Sequence, residues 1–189
     1  YLEKNQKSIK GVFITHTHPE SCGGVGDLIK TIPSIKVYAT KYTKNQMILN
    51  GVDESKIVEI KPHRKINFGS VSVFPIQVNH SVPESVMYVI NTPDGAICYT
   101  GDFIVDPSMK DHYHMDLGRI AYVGKQGVLA LLIESSFSER IGHTSPSHHL
   151  SSFFKKVINK NDGRLIFSVL YTHLYTIEGI FNIAKTTNR

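Results

Sequence analysis

The chain has 189 residues, 41% of them hydrophobic and 20% charged, a composition that excludes a disordered polymer and suffices for a packed core. Lysine and arginine number 21 against 16 aspartates and glutamates, a formal charge of +5, compatible with a polyanionic partner such as RNA and equally with a merely positive surface. The longest apolar run, Val128 to Ile133, is far short of the ~20 residues that a membrane-spanning helix needs, and two cysteines without paired spacing argue against a disulfide framework and fit a reducing cytoplasm.

In chain order, Val12 to Thr15 is a short β-branched run that leads into a histidine pair. Val25, Leu28, Ile29 and Ile32 follow a helical period that Pro33 ends. Lys36 to Ala39 reads as a strand, Thr40 as the cap of the next helix and Gly51 as its stop. Ser70 to Val78 alternates like a strand in which Pro75 predicts an edge or a bulge. Val86 to Asn91 and Ala96 to Thr100 predict a hairpin across Thr92-Pro93-Asp94-Gly95. Val128 to Ile133, apolar throughout, predicts a strand buried on both faces.

A second segment begins near residue 140. Ser145 and Pro146 open a helix with the stripe Leu150, Phe153, Phe154, Val157 and Ile158; Asn161-Asp162-Gly163 is a turn. Leu165 to Leu170 is the next strand, and Ile177, Ile180, Phe181 and Ala184 form a last helical stripe. The alternation predicts a layered α/β fold with a mixed sheet. With Tyr1 in place of an initiator Met and Arg189 just past a helical stripe, both ends read as cut and the chain as a piece of a longer protein. Its polar, lysine-rich first ten residues hold no visible leader.

The stretch that carries chemistry is Thr15-His16-Thr17-His18-Pro19-Glu20-Ser21-Cys22-Gly23-Gly24. Residues two apart in extended chain share a side, so His16 and His18 can converge on one point, and neutral imidazole suits zinc. Taken alone, the pair reads equally as a polar loop bonded to backbone. His80, in Val78-Asn79-His80-Ser81, and Asp102, in Thr100-Gly101-Asp102-Phe103, each follow a strand, where a sheet gathers ligands. His63, His112, His114, His143, His148, His149 and His173 are expected to have no metal role.

H-x-H-x-x-x-x-G-G, then H-S-x-P-[DE]-S, then T-G-D-F, in this order, resembles the metallo-β-lactamase superfamily, and within it the ribonuclease J branch. Gly127 to Ser136 is similar to that branch's G-V-L-x-L-L-S-D-S-T strand, and Asp162 to Phe167 to the D-G-R-I-I-F start of its inserted β-CASP domain. The resemblance implies an α/β fold: a partial metallo-β-lactamase αββα sandwich over residues 1–140 without its first strands, then the beginning of a β-CASP domain over residues 141–189. It implies that His16, His18 and His80 hold a first zinc and that Asp102 bridges to a second, with Asp102 and Glu20 catalytic. Glu134 helps organise the site in a place where the family carries Asp. Zinc is the implied cofactor and manganese the alternative.

The implied activity is hydrolysis of RNA phosphodiester bonds, 5′-to-3′ or internal, by a cytoplasmic protein. Its implied partners are RNA and either further copies of itself or a paralogous ribonuclease, with no membrane. The piece alone is expected to be inactive.

The chain departs from the family pattern H-x-H-x-D-H at Glu20 and Ser21, where the Asp and His ligands of the second metal belong, and Glu20, a carboxylate on a longer arm, is still a candidate metal ligand. Serine is a poor zinc ligand, and Pro19 stiffens the loop. The first metal site is therefore expected to be filled and the second weak or empty. An alternative follows: a catalytically weak paralogue serving as an RNA-binding or structural subunit. Thr176 also stands where the family has an Arg that approaches RNA. A small-molecule hydrolase of the wider superfamily fits the first motif equally, and the β-CASP-like start speaks against it.

Overall fold

The computed structural model describes residues 1–109, 111–136, 138–142 and 148–187. In chain order these form α1 (Leu2–Asn5), β1 (Val12–Phe13), α2 (Pro19–Cys22), α3 (Val25–Thr31), β2 (Val37–Thr40), α4 (Lys41–Leu49), β3 (Ile57–Ile60) and β4 (Ile66–Phe68). There follow β5 (Val71–Gln77), β6 (Val86–Thr92), β7 (Gly95–Tyr99), α5 (Leu117–Gln126), β8 (Ala130–Leu132), α6 (His148–Lys160) and α7 (Leu174–Thr186). Strands β1, β2 and β3 make a parallel sheet; β4 to β8 make a second, antiparallel except for the parallel pair β7–β8.

Side-chain alternation along β5 and β6 joins these sheets into layers. Val73, Val86 and Tyr88 point at the first sheet and meet Ile60, Phe13 and Tyr38. Ile76, Met87 and Val89 point the other way and meet Ile120 and Val123 of α5. The outer face of the first sheet packs Val37, Ala39 and Ile57 against Val25 of α3 and Met47 of α4. Each fully buried aliphatic here contributes roughly 1.5–3 kcal/mol. The result is helices, sheet, sheet and helix, the layered α/β fold expected.

Between the sheets lies an aromatic plug that also aims the site. Phe13 stacks on Tyr38 at 4.6 Å and meets Tyr88 edge-on at 5.3 Å. The buried Tyr88 hydroxyl donates to the Ile14 carbonyl at 2.7 Å, and the Val86 N–H donates to the Thr15 carbonyl at 3.1 Å. The chain leaving β1 is thereby pinned to β6 one residue before His16.

Of the two placements expected for Pro75 the edge is the one found: it sits in an unbroken β5–β6 register, and β4 begins opposite Val73, so its missing N–H faces no neighbouring strand. Other sequence expectations are corrected. Thr40 starts α4 but does not cap it with its side chain; the Glu84 carboxylate, 42 residues from Tyr42, accepts the Tyr42 N–H at 2.8 Å. Val128 to Ile133 is not buried on both faces. Only Ala130–Leu132 pairs, at the edge of the second sheet, leaving Leu131 55% and Leu132 54% exposed.

Leu165 to Leu170 forms no strand, for no described strand lies beside it to complete a ladder. In α7 the buried residue is Ile183, while Phe181 is exposed. The Ser145-Pro146 helix start lies outside the described residues.

Candidate metal centre

The chain leaves β1 in an extended conformation, which puts His16 and His18 on one side of it before Pro19 opens α2 at its first position. Gly23 closes that turn so tightly that a Cβ there would meet the Pro19 carbonyl at 2.6 Å. The loop after β7 turns at Gly101, whose φ of +57° and whose 2.9 Å approach to the Thr15 side chain both require glycine. That turn carries Asp102 against the histidine pair. His80 comes from the loop after β5.

His16, His18, His80 and Asp102 bring one ligand atom each within 4.8 Å of one another. His16 Nε2 lies 3.4 Å and His18 Nδ1 3.8 Å from Asp102 Oδ2, and His80 Nε2 lies 3.4 Å from His18 Nδ1. The three rings sit at the corners of a near-equilateral triangle, with centroids 4.6 to 4.7 Å apart. Behind His16, the buried Thr15 hydroxyl is 2.9 Å from Nδ1, the kind of outer contact that sets a tautomer and turns Nε2 inward.

Burial pushes His80 down to about 3, with the imidazoles of His16, His18 and His173 adding to it. Burial likewise lowers His16 to about 4, although the neighbouring Asp102 opposes this. Both rings are therefore neutral at pH 7 and present lone pairs rather than charge.

The other expected residues stand less centrally. Glu20 Oε1 is 3.4 Å from His18 Nδ1, but its side chain is 66% exposed and does not join the group of four. Ser21 Oγ approaches His16 Nε2 at 3.4 Å. Glu134 lines the same cavity of about 710 Å³ as His18, Glu20, His80 and Asp102. It is held there by its N–H to the Thr100 hydroxyl at 3.3 Å, and its carboxylate accepts the Ser136 N–H at 2.5 Å.

His63 pairs instead with Asp116 at 3.5 Å. His112 and His114 lie in a separate turn, and His143 falls outside the described residues. His173, expected to have no metal role and not part of the group of four, nevertheless reaches this cavity at the start of α7. Its position follows from how α7 packs, which no local pattern announces. Thr15 was likewise missed, since a threonine before H-x-H reads only as the end of a strand.

Neutral imidazole nitrogens and one carboxylate facing a common point are the donor set of a divalent-cation site. Without a cation, lone pairs of His18 and His80 would face each other at 3.4 Å unless one carries the proton, so these residues fit a metal ion.

The comparisons agree with this geometry. Residues 2–148 match the family described as the β-lactamase superfamily domain. The chain is 32% identical over 198 aligned positions to ribonuclease J 2 of Staphylococcus aureus, and 31% over 194 to ribonuclease J 2 of Staphylococcus saprophyticus. In both cases the alignment covers all of this chain and 35% of the relative, so the chain spans about a third of the length of these curated relatives. A crystal structure of an Enterococcus faecalis protein of unknown function superposes with a TM-score of 0.64 at 18% identity, over 93% of this chain and 44% of that one; it supports the fold alone. With its layers, its ligand group and its matched residues all in agreement, the chain belongs to the β-lactamase superfamily.

Proposed function

We propose that this chain is part of a metal-dependent ribonuclease of the ribonuclease J type, acting on RNA phosphodiester bonds from a 5′ end or internally. The observation that carries the reading is the convergence of His16, His18, His80 and Asp102, in a chain 32% identical to a ribonuclease J 2 over its whole length. These four residues would hold one ion, zinc before manganese, because three imidazoles suit zinc better than a harder cation. Bound there, the ion supplies Lewis acidity and an activated water at neutral pH.

The chain's own residues do the rest. Thr15 fixes the His16 ring, Asp102 supplies the negative charge of the group, and Glu134 lines the wall beside it. Glu20 is the solvent-facing carboxylate able to take up a proton at the rim. In this reading residues 1–140 are the catalytic domain and residues 141–189 the beginning of a β-CASP domain. RNA is the substrate, the compartment is the cytoplasm, and the protein assembles with itself or with a paralogue.

A second reading has its own observation. Glu20 reaches only His18, and a serine hydroxyl takes the remaining approach to His16. This favours one occupied metal position and a weakly active subunit that binds RNA or a more active paralogue. Decay of a labelled 5′-monophosphorylated RNA by the full-length protein separates the two. Decay abolished by Asp102→Ala supports the nuclease, and no decay above that variant supports the subunit.

A further inference from the structure

His80 belongs to no strand ladder. Its loop leaves β5 at Gln77, and hydrogen bonds hold both of its neighbours. On one side the buried Asn79 donates from Nδ2 to the Tyr113 carbonyl at 2.6 Å and accepts the Asp106 N–H at 3.0 Å. On the other side the Ser81 carbonyl accepts the Tyr175 N–H at 3.2 Å. Tyr175 is the second residue of α7, so this N–H is one of the donors that a helix start leaves without an intrahelical acceptor.

The two anchors are themselves joined. The Tyr113 ring meets the Tyr175 ring edge-on at 5.0 Å, and the Tyr113 hydroxyl donates to Glu178 Oε1 at 2.8 Å. Asn79, Tyr113, Glu178, Tyr175 and Ser81 thus close a circuit around His80, with three of its members on one short turn or the first turns of α7.

A ligand ring must be held to within about 0.5 Å of its working position. We propose that the first turns of α7, through Tyr175 and Glu178 acting with Tyr113, are positioning elements for His80, so that docking of α7 sets the affinity of the metal site. This rests on the reading of His80 as a metal ligand. By reciprocity, metal binding tightens the dock, and the second segment of the chain thereby controls a site to which none of its described residues gives a ligand.

The test is zinc affinity of the full-length protein, measured by competition with a chelating dye. Tyr113→Phe and Glu178→Ala each weaken zinc binding about three- to tenfold, the scale of one hydrogen bond acting through a ligand's neighbour. The double variant binds no more weakly than either single one, since both remove the same bond. Glu178→Gln, which keeps the acceptor, restores wild-type affinity. Ile57→Val, a core change in the other sheet, lowers thermal stability without moving it.

In the wild type, zinc also slows hydrogen exchange at the Tyr175 amide. Unchanged zinc affinity in Tyr113→Phe and Glu178→Ala, or exchange at Tyr175 indifferent to zinc, overturns this inference while leaving the metal site standing. A wild-type protein that binds no zinc overturns the metal reading, and this inference with it.

Discussion

His16 and His80 show what burial does to the imidazoles of the proposed metal site. Their pKa values fall to about 4 and about 3 from the ordinary 6.5, chiefly because a charged ring loses its water. The folded chain therefore refuses protons that the unfolded chain takes up near 6.5. Stability contributed by the neutral rings is complete above that value and is lost as pH falls towards 4 and 3. The metal-stripped protein should lose up to about 1.4 kcal/mol per pH unit for each ring in that window. Urea midpoints at pH 7 and pH 5 in chelator measure this, and His80→Gln should reduce the difference. An equal drop in wild type and variant would mean that His80 titrates as an ordinary exposed histidine.

At the scale of elements, long-range contacts replace several local signals. Thr40 has the right residue type for a cap, yet its hydroxyl turns to the Glu84 carbonyl at 3.1 Å, while the Glu84 carboxylate caps α4 from a left-handed position with φ of 57°. Glu84→Ala should therefore destabilise the protein by about 0.5–2 kcal/mol, and Thr40→Ser by less, as read from chemical denaturation. The reverse order would restore the local cap.

The same contrast explains what the sequence makes legible. His16, His18, His80 and Asp102 follow strand ends, a place visible in the pattern of β-branched runs. Asn79, Tyr113 and Glu178 act across 34 and 65 residues of chain, and no periodicity encodes that. Val128 to Ile133 misled because an apolar run states that burial is wanted without saying what supplies it.

For the molecule as a whole, two sheets pinned at Tyr88 and Val86 bring the His16–His18 loop, the Gly101 turn and the His80 loop to one end of the sandwich. The layers were legible from strand and helix order; the near-equilateral meeting of three rings required the packing. Among the described residues one ligand group is well formed, with Glu20 exposed beside it, and the proposed metal site therefore has a single tight position. Metal content of the full-length protein after exhaustive dialysis tests this most directly. One zinc per chain, lost in His80→Ala and in Asp102→Ala, is the predicted result. No retained metal, or two tightly held ions, would contradict it.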